Sequence, residues 1–291
     1  MKYYATGYSV PQSDPPKSPR ETLPTMYDLP SEFPEEPGLP DEFHDLQPHL
    51  LSRTLTLADY SRDNWFTGTN LNVYYDVQHP LWHKRPDWFL AVNVPRLYDG
   101  HDLRRSYVVW QEGYSPSIVV EFLSPNAERE DLGRFYQESD RVIAAPENAI
   151  EAEPAQLTKP PSKLEVYERH LRVSHYIVYS RYTQKLRYFQ LVGARYQEQI
   201  LQPDNPRIWI EDLGIGLGVW QGEFDDISQL WLRWCDQDGN WFLTDTEKAE
   251  QQAAAERRAA AAERSAKEEA QQQVKRLAER LRELGINPED V

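Results

Sequence analysis

Residues 115–131 read SPSIVVEFLSPNAERED, an apolar run, Ile118-Val119-Val120 and Phe122-Leu123, broken once by Glu121. Its length and β-branched residues mark a strand covered on both faces. A carboxylate at the centre of such a strand is costly unless it is paired, protonated or bound to a metal. The rest of the chain decides among these three, and decides the fold with them.

The neighbouring stretches have the same character. LNVYYDV (71–77), PDWFLAVNV (86–94) and SYVVWQ (106–111) are rich in β-branched and aromatic residues and are separated by turn residues. HYIVYS (175–180), KLRYFQL (185–191) and ARYQEQI (194–200) read as a meander, with turns at Tyr182-Thr183-Gln184 and at Gly193. Upstream, Phe43, Leu46, Leu50 and Leu51 are spaced along one face of a helix, which Pro48 is expected to shorten or kink. Leu164, Tyr167 and Leu171 give a second helical spacing after Lys163. The expected fold is α/β (α+β): a mixed, twisted sheet of at least five strands, one helix before it and one beside the Lys163 segment.

This core, residues 41–245, is flanked by segments of other composition. Residues 1–40 are a proline-rich arm, and residues 146–162, with four prolines, read as an insertion looped out of the domain. Residues 246–291 form a tail in which 246–284 are built mainly of Ala, Glu, Gln, Arg and Lys, a composition that predicts a long helix. Thr246 is its expected N-cap, and Gly285 followed by Pro288 its stop. Val274, Leu277, Leu281 and Leu284 step by 3, 4 and 3, an a/d seam, so the tail is read as a solvated helix, a docking arm for a protein partner or a dimerising coiled coil.

Composition narrows the function. Hydrophobic residues at 40%, with nine Trp and seventeen Tyr, exclude wholesale disorder. A net charge of −15 opposes non-specific nucleic-acid binding unless positive charge is gathered locally. Cys235 is the single cysteine, which excludes an internal disulfide framework. Without a long apolar stretch or the apolar core of a signal peptide, the chain is expected to be soluble and cytoplasmic, with no membrane span.

Three residues carry the chemical expectation. Asp87 opens a strand, Glu121 lies inside one, and Lys163 begins a helix. Two carboxylates on neighbouring strands can hold one hard divalent cation, which polarises a phosphoryl oxygen and acidifies a bound water. A lysine beside them orients the attacking water, or takes its proton. Asp76 is a spare carboxylate in VYYDVQ, and Lys84, Arg85, Arg104 and Arg105 provide local positive charge. Ser124, in the turn that ends the Glu121 strand, is a possible phosphate contact. His79 and His83 are four apart, but Pro80 between them argues against a zinc pair. GIGLG at 214–218 lacks the trailing Lys-Ser/Thr of a phosphate loop.

RPDWFLAVNV, PSIVVEFLSPNAEREDLG and the stretch from Lys163 to Gln197 resemble the bacterial Uma-type (Uma-two) family of restriction-endonuclease-like proteins. The resemblance covers roughly residues 41–220 and implies the PD-(D/E)xK nuclease fold. It implies Asp87 and Glu121 as ligands of Mg²⁺ or Mn²⁺, the Phe122 backbone carbonyl as a third ligand, and an acid from the first helix, Glu42 or Asp45. In the simplest nuclease motif the lysine stands two residues after the glutamate, where this chain has Leu123. Lys163 is the match here, and the nearer Arg134 cannot act as a base. The implied activity is metal-dependent hydrolysis of DNA, with a homodimer to cut both strands. The competing readings are an inactive nuclease-fold scaffold acting through its helical tail, and a carboxylate-pair hydrolase of sugars, which needs no metal.

Overall fold

The computed structural model describes residue 15 and residues 39–124, 127–141 and 160–283. Nearly all of the proline-rich arm, residues 146–159 of the expected insertion, and Leu284, Gly285 and Pro288 lie outside the described residues.

Helix α1 (Phe43–Thr54) comes first and runs on through Pro48 for 12 residues. Strands β1 (Trp65–Thr69), β2 (Val73–Tyr74), β3 (His83–Lys84), β4 (Trp88–Val92) and β5 (Tyr107–Val108) follow, then the single turn α2 (Val109–Glu112) and β6 (Ile118–Phe122). SYVVWQ thus starts as a strand but ends as a helical turn, which Gly113 closes in the left-handed region at φ 78°. Helices α3 (Glu128–Leu132) and α4 (Lys163–Glu165) lead to β7 (His175–Ser180), β8 (Lys185–Val192) and β9 (Arg195–Gln199), the expected meander. Strands β10 (Arg207–Ile210), β11 (Ile215–Phe224) and β12 (Ile227–Cys235) end this unit, which runs to Phe242.

The principal sheet has six strands in the order β1-β4-β6-β7-β8-β9. Every pair is antiparallel except β6–β7. A parallel pair needs a crossover, and here residues 123–174 carry α3 and α4 over one face of the sheet. Side chains alternate between the faces. Trp88, Leu90, Ile118, Val120, Phe122 and Ile177 pack with α1 and with the three-stranded sheet β10-β11-β12. Phe89, Val119, Leu123, Tyr176 and Val178 pack on the other face with Leu132, Leu164 and Tyr167 of the crossover. Glu121, two residues from Val119 and from Leu123, therefore points at the crossover. A third small sheet, β3-β2-β5, completes the unit.

The glycines of 214–218 serve packing. Gly214 takes the left-handed conformation at φ 62°, and a Cβ at Gly216 would lie 2.7 Å from the Cys235 sulfur.

The second unit begins at Leu243 and holds α5 (Asp245–Glu283), 39 residues long. Its cap is Thr244 and not Thr246. The Thr244 hydroxyl accepts from the Glu247 N–H at 3.2 Å, while the Glu247 carboxylate accepts from the Thr244 N–H at 2.7 Å. That reciprocal pair requires a residue three before the glutamate, which Thr246 is not. Val274 and Leu277 of the expected seam are exposed. Among the described residues no helix is long and apolar enough to cross a membrane.

Helix α1 is tied to β12 by Trp234, whose indole N–H donates to the Leu51 carbonyl at 3.0 Å, and by Gln47. Gln47 donates to the Leu232 carbonyl at 2.9 Å and accepts from the Leu232 N–H at 2.8 Å, all of it buried. Gln47→Leu leaves both backbone groups without partners and is expected to cost about 2–4 kcal/mol in urea unfolding; a loss under about 0.5 kcal/mol contradicts this role.

Candidate active site

The register Trp88–Val120, continued one step, sets Asp87 opposite Glu121. The two are cross-linked through backbone: the Asp87 N–H donates to Glu121 Oε2 at 3.3 Å, and the Phe122 N–H donates to Asp87 Oδ2 at 2.6 Å. From the crossover, Lys163 Nζ donates to Glu121 Oε2 at 3.0 Å and the Tyr167 hydroxyl donates to Glu121 Oε1 at 2.6 Å. Lys163 Nζ also lies 3.1 Å from Asp131 Oδ1. Asp87, Glu121 and Lys163 thus converge, joined by Asp131 and Tyr167. Glu121 and Asp131 are sealed, at 0% and 2% side-chain exposure, whereas Lys163 keeps 21% and Asp87 is half-buried. The cluster opens to solvent on the Asp87–Lys163 side.

Local sequence explains the placement. Pro160 and Pro161 exclude helix before Ser162, whose hydroxyl caps α4 by accepting from the Glu165 N–H at 3.3 Å. Lys163 and Tyr167, four apart, share one helical face and take one oxygen each of the same carboxylate. Beyond Glu165 the coil widens to a π-helix over Val166–His170, closed by the Leu171 N–H on the Val166 carbonyl at 2.9 Å. Such widened turns recur at functional sites. Gly133, at φ 48°, ends α3, and a Cβ there would meet Leu164 at 2.7 Å. Its bareness lets the helix that bears Asp131 lie against the one that bears Lys163.

Three carboxylates around one ammonium leave an excess of negative charge, and the proton affinities reflect it. Burial pushes the Glu121 carboxyl up to about 7 against the pull of Lys163, and repulsion from Asp87 adds to the rise. Burial takes Asp131 up to about 7 as well, opposed by Lys163 and assisted by Glu121. Asp87 is raised by burial despite Lys163, His44 and the Phe122 N–H. Burial disfavours the Lys163 charge, but Asp131, Glu121 and Asp87 outweigh it and keep the amine an ammonium well above its ordinary range.

The donors are hard carboxylate oxygens, the chemistry that Mg²⁺ and Mn²⁺ select. Asp131 Oδ1 is buried and has no hydrogen bond, only its ion pair with Lys163. Among the described residues no three His, Cys, Asp or Glu side chains form a complete metal cage. Mg²⁺ needs none, since one or two carboxylates, water and phosphate suffice. The carboxylate oxygens of Asp87, Glu121 and Asp131 are thus of the donor type that suits such an ion.

The remaining expected residues lie elsewhere. Glu42 and Asp45 are exposed, and the residue that α1 brings to the cluster is His44. Its Nε2 meets the Phe122 carbonyl at 3.0 Å, so that oxygen already has a partner. Asp76 accepts from the Gln78 N–H at 2.9 Å and pairs with His79 Nδ1 at 2.8 Å, away from Glu121. Lys84 pairs with Glu130 at 2.8 Å, and Arg85 donates to Asn72 at 3.0 Å. Ser124 is half-buried, with its carbonyl accepting from Ala127. Arg134 is paired with Glu168. Asp131, Tyr167 and His44 were not among the expected site residues; only Tyr167, four beyond Lys163, carried a readable signal.

A cleft of about 710 Å³ lies away from this cluster, between β7–β8 and β10, bordered by His175, Tyr188, Trp209 and Asp212. The carboxylate–lysine constellation marks the chemistry, and that cleft does not contain it.

No curated protein matches the chain. The Uma2 family model, described as "Putative restriction endonuclease", matches residues 21–220, well over half of the chain. The match spans Asp87, Glu121, Asp131, Lys163 and Tyr167 together. The chain belongs to the Uma2 family of restriction-endonuclease-like proteins.

Proposed function

We propose that the chain is an endonuclease that hydrolyses DNA phosphodiester bonds with Mg²⁺, or Mn²⁺, held by Asp87 and Glu121. One observation carries the reading: Lys163, 42 residues beyond Glu121, returns to within 3.0 Å of that carboxylate. A bound divalent ion would offset the surplus negative charge, polarise the phosphoryl oxygen and acidify a water.

The chain's own residues divide the remaining work. Lys163 serves as a hydrogen-bond donor and fixed positive charge at the attacked phosphate, because an ammonium so strongly held takes up no proton. The acceptor of the water's proton is then a carboxylate, and Asp131, at about 7 and with an oxygen free of hydrogen bonds, is suited to it. The water oxygen would bond to phosphorus as the P–O bond to the leaving sugar breaks, with the bonding pair leaving on the sugar oxygen, which takes a proton from solvent, while Asp131 takes the proton of the attacking water. Tyr167 holds Glu121 in place. Lys84, Arg85 and Ser124 are the proposed phosphate contacts along the strand. A homodimer would present two such sites to a duplex, and the exposed Val274 and Leu277 of α5 are the proposed contacts for it or for a protein partner.

The rival reading, an inactive nuclease-fold scaffold, draws on Glu121 having donors on both oxygens without any metal. Plasmid nicking separates the two. The nuclease is expected to nick supercoiled plasmid with Mg²⁺ or Mn²⁺, to stop in EDTA, and to lose at least about a thousandfold of its rate in Asp87→Ala, Glu121→Ala and Lys163→Ala. Nicking that survives these substitutions refutes the assignment.

The charge surplus has its own signature in stability. In EDTA the folded Glu121 and Asp131 carboxyls titrate near 7, against 4.5 and 3.8 in the unfolded chain. Between those values the folded state binds more protons, so the contribution of these two carboxyls to stability falls as pH rises from about 4 to about 7 and levels off above. Glu121→Gln is expected to remove on the order of 3 kcal/mol of that fall. Mg²⁺ is expected to raise the melting temperature more at pH 8 than at pH 5. Equal shifts at the two pH values would contradict the surplus.

A further inference from the structure

The hairpin between β2 and β3 presents apolar side chains to solvent. At its tip Val77 and Leu81 are 65% and 81% exposed, and Pro80 is exposed beside them. The tip is nevertheless held in one shape. Asp76 accepts from the Gln78 N–H at 2.9 Å and pairs with His79 Nδ1 at 2.8 Å, and the Trp82 N–H donates to the His79 carbonyl at 2.8 Å. The His79 ring lies flat on the Trp82 indole, with centroids 3.8 Å apart and planes 10° from parallel. His79 keeps 42% of its side chain exposed, so the stacked pair forms an aromatic shelf at the surface. Isolated exposed apolar residues need no explanation, but two on a braced turn beside an aromatic pair do.

Its anchors place this hairpin at the rim of the carboxylate–lysine cluster. Lys84, in β3, pairs with Glu130 at 2.8 Å, and Glu130 adjoins Asp131 in α3. Tyr75, just past β2, packs edge-to-face against His170 at 5.2 Å, in the π-helix that bears Tyr167. Trp82 stands five residues before Asp87. That length of chain spans at most about 18 Å, the rise of about five stacked base steps. The charge of the tip decides what it can meet there. Residues 76–83 contain no lysine or arginine, and their one carboxylate is taken up by His79 and the Gln78 N–H. Such a surface offers no cation to a phosphate. It suits the faces of bases, which a paired duplex hides and an unstacked one shows.

We propose that the β2–β3 hairpin is a base-binding element: Leu81 and Val77 enter between bases, the His79–Trp82 pair stacks on one, and the chain prefers DNA with unpaired bases near the scissile bond. The inference rests on the chain acting on DNA, and the experiment tells the two apart. The full chain is titrated, in Ca²⁺ to hold cleavage off, against a fluorescein-labelled duplex and against the same duplex with a central bulge of unpaired adenines, and anisotropy is read. Wild-type protein is expected to bind the bulged duplex about tenfold more tightly, the size of one base–aromatic stack. Leu81→Ser and Val77→Ser are each expected to lose most of that preference while keeping their affinity for the paired duplex within about twofold, because neither removes a phosphate contact. Both side chains are exposed, so both variants are expected to fold and melt as wild type does. Equal affinity of the wild type for the two duplexes, or a preference that survives both substitutions, overturns the inference; Mg²⁺-dependent plasmid nicking in the same preparation would leave the nuclease reading standing. A preference that depends on Leu81, without any nicking, upholds the hairpin and overturns hydrolysis. No binding to either duplex and no nicking overturns both. Self-association that Leu81→Ser abolishes, with equal affinity for the two duplexes, overturns the inference by assigning the tip to a second copy of the chain.

Discussion

A carboxylate sealed inside a sheet governs this molecule. Glu121 has no solvent exposure, so each of its oxygens must find a donor within the protein. Strand β6 cannot provide them, because its backbone groups are taken up by the ladder and, at Phe122, by Asp87 and His44. The crossover does, with Lys163 on one oxygen and Tyr167 on the other, and β4 adds the Asp87 N–H. The parallel β6–β7 pair, the cap at Ser162, the π-helix and the bare Gly133 all serve to bring one helical face onto that group. The opposite face of the sheet is ordinary apolar packing against α1 and β10–β12.

The arrangement is costly by design. One ammonium cannot neutralise three carboxylates, and the two that are sealed are pushed to about 7. A purely structural ion pair would have been cheaper with a single acid. A site that must accept a divalent cation gains from the excess, because the cation is then bound where its charge is needed. Overall, a chain carrying −15 is poorly suited to hold a polyanion by its net field. Under the proposed function, local charge from a bound ion and from Lys163 would have to overcome it.

Much of this was legible in the sequence, for identifiable reasons. The strands show as β-branched runs, and the polar interruption at Glu121 within an apolar run marks the site. Pro86-Asp87 shows because proline fixes the end of a strand. Lys163 was found by its place at a helix start, together with the family resemblance. Asp131 was not: it lies in a charged stretch, EREDL, where nothing separates the one buried acid from its exposed neighbours. His44 is not marked in the sequence, because the acids that flank it, Glu42 and Asp45, have the residue type expected at the site and yet face solvent. The helical phase that buries Phe43 and Leu50 also carries His44 inward, but one histidine at such spacing says nothing of what its ring will meet. The cap of α5 was misplaced by two residues because two threonines stand near Glu247 and only Thr244 has the spacing for a reciprocal pair.

A crystal structure of the full chain grown with Mn²⁺, with anomalous scattering recorded at the manganese edge, tests the central claim most directly. The account predicts one anomalous peak within coordination distance of both the Asp87 and Glu121 carboxylates, with Lys163 Nζ still beside it. Density in which Glu121 remains closed upon Lys163 and Tyr167, with manganese absent from Asp87 or bound elsewhere, would contradict it.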